Sequence, residues 1–158
     1  MLLPILLVLA AAPAAPAAAK PRPYTVMDQV TLRRLLALAV SPDGQTVVMT
    51  IRATDYEANK GKLDLWAVKA DGSNLRQLTS HAAPDTDPVF APDGKSIYFL
   101  SARADPQQIF NLSLEGGEPT QVTKAPVDVN AFILSADGKT FAFAAEVFPD
   151  CKEADTLT

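Results

Sequence analysis

Ser41-Pro42-Asp43-Gly44, followed by Gln45 and the run Thr46-Val47-Val48-Met49-Thr50-Ile51, decides how this chain is read. Proline at the second turn position pre-sets its backbone angle, aspartate suits the third, and glycine takes the left-handed conformation that ends the turn. A type I turn closed by a glycine bulge joins two antiparallel strands and tightens their twist. Pro92-Asp93-Gly94 repeats the turn before Ser96-Ile97-Tyr98-Phe99-Leu100. Ala136-Asp137-Gly138 repeats it again, with alanine for proline, before Thr140-Phe141-Ala142-Phe143-Ala144.

A second element keeps phase with the first. Leu65-Trp66-Ala67-Val68 matches Ile109-Phe110-Asn111-Leu112, Gly72 matches Gly116, and Leu78-Thr79 matches Val122-Thr123, each 44 residues on. Asp93 and Asp137 are also 44 residues apart, whereas Asp43 and Asp93 are 50 apart. The extra residues fall between Gly44 and Leu65, and the polar stretch Thr54 to Gly61 is expected to hold them as a loop.

A period of this length with several short strands points to an all-β, partial β-propeller of four-stranded antiparallel blades. Blade one (36–80) is expected to use Leu36–Val40, Thr46–Arg52, Leu63–Lys69 and a short strand near Leu75–Thr79. Blade two (86–124) uses Asp87–Ala91, Ser96–Ser101, Gln108–Leu114 and Pro119–Thr123. Blade three (128–158) begins with Val129–Leu134 and Thr140–Val147, and the chain then ends inside it, as a fragment of a longer protein would. Helical repeats are disfavoured, because the runs are short, β-branched and bounded by glycine and proline. Within the lead-in (20–35), Met27, Val30, Leu32 and Leu35 suggest a short helix packed on the propeller edge, or a strand, with Arg33-Arg34 facing away.

At the N-terminus an apolar run, Leu2–Ala12, precedes the small-residue tail Pro13–Ala19. The run is too short to span a bilayer as a helix and suits a signal peptide, residues 1–19, with Lys20 opening the mature chain. The expected location is periplasmic or secreted, with no membrane association after cleavage; the positive segment that usually precedes such a run is missing. Cys151 is the single cysteine, and in an exported chain it suggests a partner that is not present. Fourteen basic against 18 acidic residues, net −4, with no basic run, argue against a nucleic-acid partner.

Few residues suggest chemistry. No Gly-x-Ser-x-Gly elbow and no phosphate-cradling glycine loop occurs. His81 stands alone, which makes it a loop residue and not a metal ligand. No cofactor and no metal are expected. Asp85 and Asp87, near Pro84 and Pro88, read as inter-blade turn residues bonding to backbone. Trp66 and Phe110 occupy equivalent positions and read as blade-to-blade packing. Arg52 and Arg103 each close a second strand, facing the central channel or pairing with loop acids. Glu146 stands where the repeat gives way to new sequence, a place where propellers grow functional loops.

Leu32-Arg33-Arg34, Val40-Ser41-Pro42-Asp43-Gly44, Leu63–Thr79, Phe90-Ala91-Pro92-Asp93-Gly94 and Glu115-Gly116-Gly117-Glu118-Pro119 with Val122-Thr123 form a recognisable series. Together they resemble the N-terminal propeller of exported bacterial serine peptidases of the prolyl oligopeptidase family, in the acylaminoacyl-peptidase and dipeptidyl-peptidase branch. Glu146-Val147-Phe148-Pro149-Asp150-Cys151 looks like the dipeptidyl-peptidase 5 type. The resemblance implies short peptide substrates and a C-terminal α/β-hydrolase domain carrying a Ser-Asp-His triad, with the propeller gating and positioning substrate. It gives no catalytic residue to this chain. It implies that Glu146 binds the free amine of the substrate. A TolB-like propeller that binds protein partners and performs no chemistry shares the blade motif and is the alternative.

Overall fold

The computed structural model describes residues 22–147. The expected signal peptide (1–19), Cys151 and the end of blade three (148–158) lie outside the described residues. Thr25 caps a six-residue helix, α1 (Val26–Thr31), through a capping box. The Thr25 amide donates to the Asp28 carboxylate at 2.8 Å, and the Asp28 amide donates back to the Thr25 hydroxyl at 3.3 Å. Arg22 pairs with the same carboxylate and holds it well below the usual range. The helix buries none of its residues fully, but it touches the strand Thr46–Asp55 at the edge of the first sheet, with Val30 half-buried.

Ten strands follow. β1 (Arg34–Val40), β2 (Thr46–Asp55), β3 (Lys60–Lys69) and β4 (Arg76–Gln77) form one antiparallel sheet in that order. β5 (Asp85–Phe90), β6 (Ser96–Ser101), β7 (Gln108–Ser113) and β8 (Thr120–Gln121) form a second. β9 (Val129–Leu134) and β10 (Phe141–Ala145) pair as a third. The first strand of each sheet lies against the first strand of the next, β1 on β5 and β5 on β9. This is the arrangement of consecutive propeller blades.

The β1–β2, β5–β6 and β9–β10 turns have the chemistry their residues imply. Gly44, Gly94 and Gly138 sit at φ 69°, 68° and 71°. Ser41 Oγ donates to Asp43 Oδ1 at 2.5 Å, and that oxygen also accepts from the Gln45 amide at 3.0 Å. The third turn repeats this with Ser135, Asp137 and the Lys139 amide. The second keeps the bond from the Lys95 amide to Asp93, but Ala91 stands in place of the serine.

The insertion in the first blade is not a loop. Pairing continues from Arg52↔Leu63 to Asp55↔Lys60, so the extra residues lengthen the β2–β3 hairpin. Alternating backbone hydrogen bonds satisfy a polar ribbon that a loop would leave to water. The Arg52 side chain lies over Gly61, where a Cβ would come within 2.6 Å of its guanidinium. The fourth strands are shorter than expected, two residues each.

The core lies between sheets. Val48, Leu65 and Ala67 of the first sheet pack on Phe90, Ile97, Phe99, Phe110 and Leu112 of the second. Leu100 and Ile109, on the opposite face of the second sheet, pack with Ala125, Val129, Phe132 and Phe141. Tyr98 meets Phe141 edge-on with ring centres 4.9 Å apart. The second sheet is therefore covered on both faces, each large buried side chain contributing about 1.5–3 kcal/mol.

Candidate functional site

Two-residue periodicity carries Glu146 to a particular place. Ala145 pairs with Val129 across a bulge after Ala144, so Glu146 emerges where β9 begins. The loop joining β6 to β7 is tied to the same spot. The Gln107 amide donates to Asp128 Oδ1 at 2.6 Å, Gln107 Nε2 donates to the Val129 carbonyl at 2.9 Å, and the Val129 amide donates to the Gln107 carbonyl at 3.0 Å. These bonds hold one wall of a cleft of about 770 Å³ lined by Pro106, Val127, Asp128, Asn130 and Glu146, among others. Among the described residues its lining includes two carboxylates and no cation. Asp128 is occupied by the Gln107 amide, whereas Glu146 is exposed and makes no hydrogen bond among the described residues. A cleft of this kind favours a positively charged group.

The second polar cluster is closed. Asp85 is not a turn residue: it lies in β5, fully buried. Ser101 Oγ donates to Asp85 Oδ1 at 2.6 Å, and Arg103 donates to Asp85 Oδ2 at 2.7 Å and, through Nε, to Ser101 Oγ at 2.9 Å. The Arg103 guanidinium also sits 5.6 and 5.3 Å from the ring centres of Phe99 and Phe110. Both oxygens of the acid are engaged, so the trio anchors the end of β6 and leaves no free nucleophile or base. Asp87 is exposed at φ 53°, inside the β5 register break.

The other candidates separate. His81 is exposed, and its Nδ1 accepts from the Ala83 amide at 3.0 Å, a local loop bond. Phe110 is core, as its position implies, but its repeat-mate Trp66 is only half-buried, with Arg33 stacked 5.2 Å from its ring centre. Arg33 therefore does not face away. Arg52 is exposed along the long hairpin and forms no ion pair among the described residues. Asp64 is buried, with an Oδ1 that finds no hydrogen-bond partner. Burial raises its pKa; Lys62 opposes that and Asp85 reinforces it. A comparison of repeat-mates points to it: Gln108, 44 residues on, uses its amide to bridge Ala125 and Val127. Among the described residues no group of three or more His, Cys, Asp or Glu is placed to hold a metal. None of their helices is long and apolar enough to cross a membrane.

Stacked four-stranded antiparallel sheets with glycine-closed turns define a β-propeller segment. The chain belongs to the PD40 family, the TolB beta propeller domain, which it matches over residues 33–149. It is 29% identical over 118 residues to Dipeptidyl-peptidase 5 of Porphyromonas endodontalis, an alignment covering 75% of this chain and 17% of that protein. The chain thus spans about a sixth of the length of that curated relative. TolB from Acinetobacter baumannii is similar in structure, with 27% identity and a TM-score of 0.58 over 68% of this chain and 25% of that one. An acylaminoacyl peptidase from Pyrococcus horikoshii shares the fold at 16% identity and a TM-score of 0.62, over 79% of this chain and 19% of that one. The relatives include the peptidase propellers that the sequence resembles, and TolB as well.

Proposed function

We propose that this chain is the N-terminal part of the propeller of an exported serine peptidase that cleaves short peptides. The supporting observation is the agreement with Dipeptidyl-peptidase 5 along three quarters of the chain. In this reading an α/β-hydrolase domain supplies the Ser-Asp-His triad and the acyl-enzyme chemistry. The propeller admits only short peptides and orients them. Glu146 receives the substrate ammonium through charge-assisted hydrogen bonds, which its exposed, unengaged carboxylate is free to make.

The likeness to TolB favours a second reading, a propeller that binds protein partners and performs no chemistry. The coding sequence downstream of Thr158 separates the two. A Gly-x-Ser-x-Gly followed in order by Asp and His is expected; further blades and then a stop codon would refute the peptidase. In the full-length enzyme, Glu146→Gln should raise KM for peptides with a free N-terminus and leave N-blocked peptides unaffected. An equal effect on both would remove Glu146 from the amine site.

A further inference from the structure

We propose that a groove between the first two sheets binds a carboxylate, with Arg103 as its anchor and His81 as its second donor. The inference does not rest on the peptidase reading. Both sheets that form the groove are four-stranded within the described residues.

The internal repeat shows what is unusual here. Asp85 pairs with Ser101 across β5 and β6. The matching pair is Leu35 with Ile51 in the first sheet, and Val129 with Ala145 in the third. At the Arg103 position those sheets carry Ala53 and Val147. The blade is thus built twice with apolar residues at all three positions. A buried ion pair is often no more stabilising than apolar side chains of similar volume. The fold therefore does not require the polar trio of the second sheet. What the trio adds is an arginine held in one orientation.

Arg103 spends only one edge of its guanidinium on that trio. Nε donates to Ser101 Oγ at 2.9 Å and Nη2 to Asp85 Oδ2 at 2.7 Å. Phe99 and Phe110 lie against the group. The other edge, Nη1 with the second proton of Nη2, makes no hydrogen bond among the described residues. Two parallel donors fixed in a plane match the two oxygens of a carboxylate. Arg103, its side chain 14% exposed, lines a groove of about 260 Å³ with Ser80, His81, Gly117 and Glu118, among others. That volume is below the range of sites for drug-sized ligands and suits a chain end or a small organic acid.

His81 supplies the second donor. Its Nδ1 accepts from the Ala83 amide at 3.0 Å, so the ring proton sits on Nε2, which makes no hydrogen bond among the described residues. The repeat-mate of His81 is Ala125, so this donor too is absent from the next pair of sheets. Glu118 is the acid in the lining, and it forms no ion pair among the described residues. Its charge disfavours a multiply charged anion such as phosphate and leaves a single carboxylate as the better fit.

Nuclear magnetic resonance titration of the full chain at constant ionic strength tests this. Sodium acetate offers the carboxylate alone, N-acetylglycine offers it at a chain end, and N-acetylglycinamide lacks it. Saturable shifts are expected at the Arg103 Nε, the His81 ring and the Gly117 amide with the first two probes, and none with the amide. Tighter binding of N-acetylglycine would identify a chain end as the ligand, and equal binding a small acid. His81→Ala, at an exposed loop position, should weaken binding about tenfold, the loss of one hydrogen bond to a charged group. Arg103→Lys keeps a cation for Asp85 but has no second edge, and should abolish saturation, with circular dichroism checking the fold. Shifts that rise linearly with probe, or that the amide reproduces, would overturn the proposal. So would a His81→Ala variant that binds as wild type does, and these two tests decide even where Arg103→Lys does not fold.

Discussion

Pro92 packs against Gly138 so closely that a Cβ on the glycine would lie 2.9 Å from the proline Cδ. Pro42 meets Gly94 in the same way, at 3.4 Å. The proline of each turn thus does two things. It shapes its own hairpin, and it seats the turn of the following sheet. The Pro-Asp-Gly motif is a contact between blades as well as a turn within one.

A glycine series measures that contact. Gly44, Gly94 and Gly138 share a left-handed backbone, so alanine at any of them costs about 1–2 kcal/mol of strain. A Cβ at Gly44 meets nothing within 4 Å, whereas at Gly138 it meets Pro92. Urea midpoints should fall in the order Gly44→Ala least, Gly94→Ala next, Gly138→Ala most. Pro92→Ala should recover part of the excess at Gly138. Three equal losses would show that the proline contact contributes nothing.

The buried pair gives a second prediction. Arg103→Met should leave Asp85, 0% exposed, without its cation and cost about 3–5 kcal/mol in equilibrium unfolding. Asp85→Leu added to Arg103→Met should restore most of that loss. A single variant as stable as wild type would mean that water reaches Asp85.

Acid should loosen the first and third turns. Hydrogen bonds from Ser41 and Ser135, then from the Gln45 and Lys139 amides, lower the pKa of Asp43 and Asp137. Their folded values lie below the unfolded one, so the unfolded chain takes up protons first as the pH falls. The stability they contribute is present above about pH 4 and is lost as pH falls through the folded values. Ser41→Ala with Ser135→Ala should make the loss of melting temperature below that pH shallower.

Asp64 should act with the opposite sign. Burial raises its folded pKa, so its charge costs stability at neutral pH, and the cost is relieved as the pH falls through the raised value. Asp64→Asn removes the buried charge and should raise the unfolding free energy at pH 7. The gap between variant and wild type should close in acid. A constant gap across the titration would exclude the carboxylate as its source.

Much of the fold was legible because its turns depend on local chemistry. Pro42, Asp43 and Gly44 specify a hairpin through backbone angles and short-range hydrogen bonds, which the residues themselves carry. The 44-residue phase then assigned β6, β7 and β9 closely. Thr54–Gly61 was misread because polar residues suit both a loop and an exposed ribbon, and only cross-strand pairing tells them apart. Asp85 was misread because its partner, Arg103, is 18 residues away and reaches it only once β5 and β6 pair. The Glu146 cleft needed the Gln107, Asp128 and Val129 bonds, which join a loop to the following connector.

By itself, then, the sequence determined the repeat, the hairpins and the blade architecture, because alternation and turn chemistry act over a few residues. The tertiary structure decided which faces are covered and which acids are engaged. Those depend on groups far apart in the chain: Arg103 finding Asp85, and Pro92 finding Gly138.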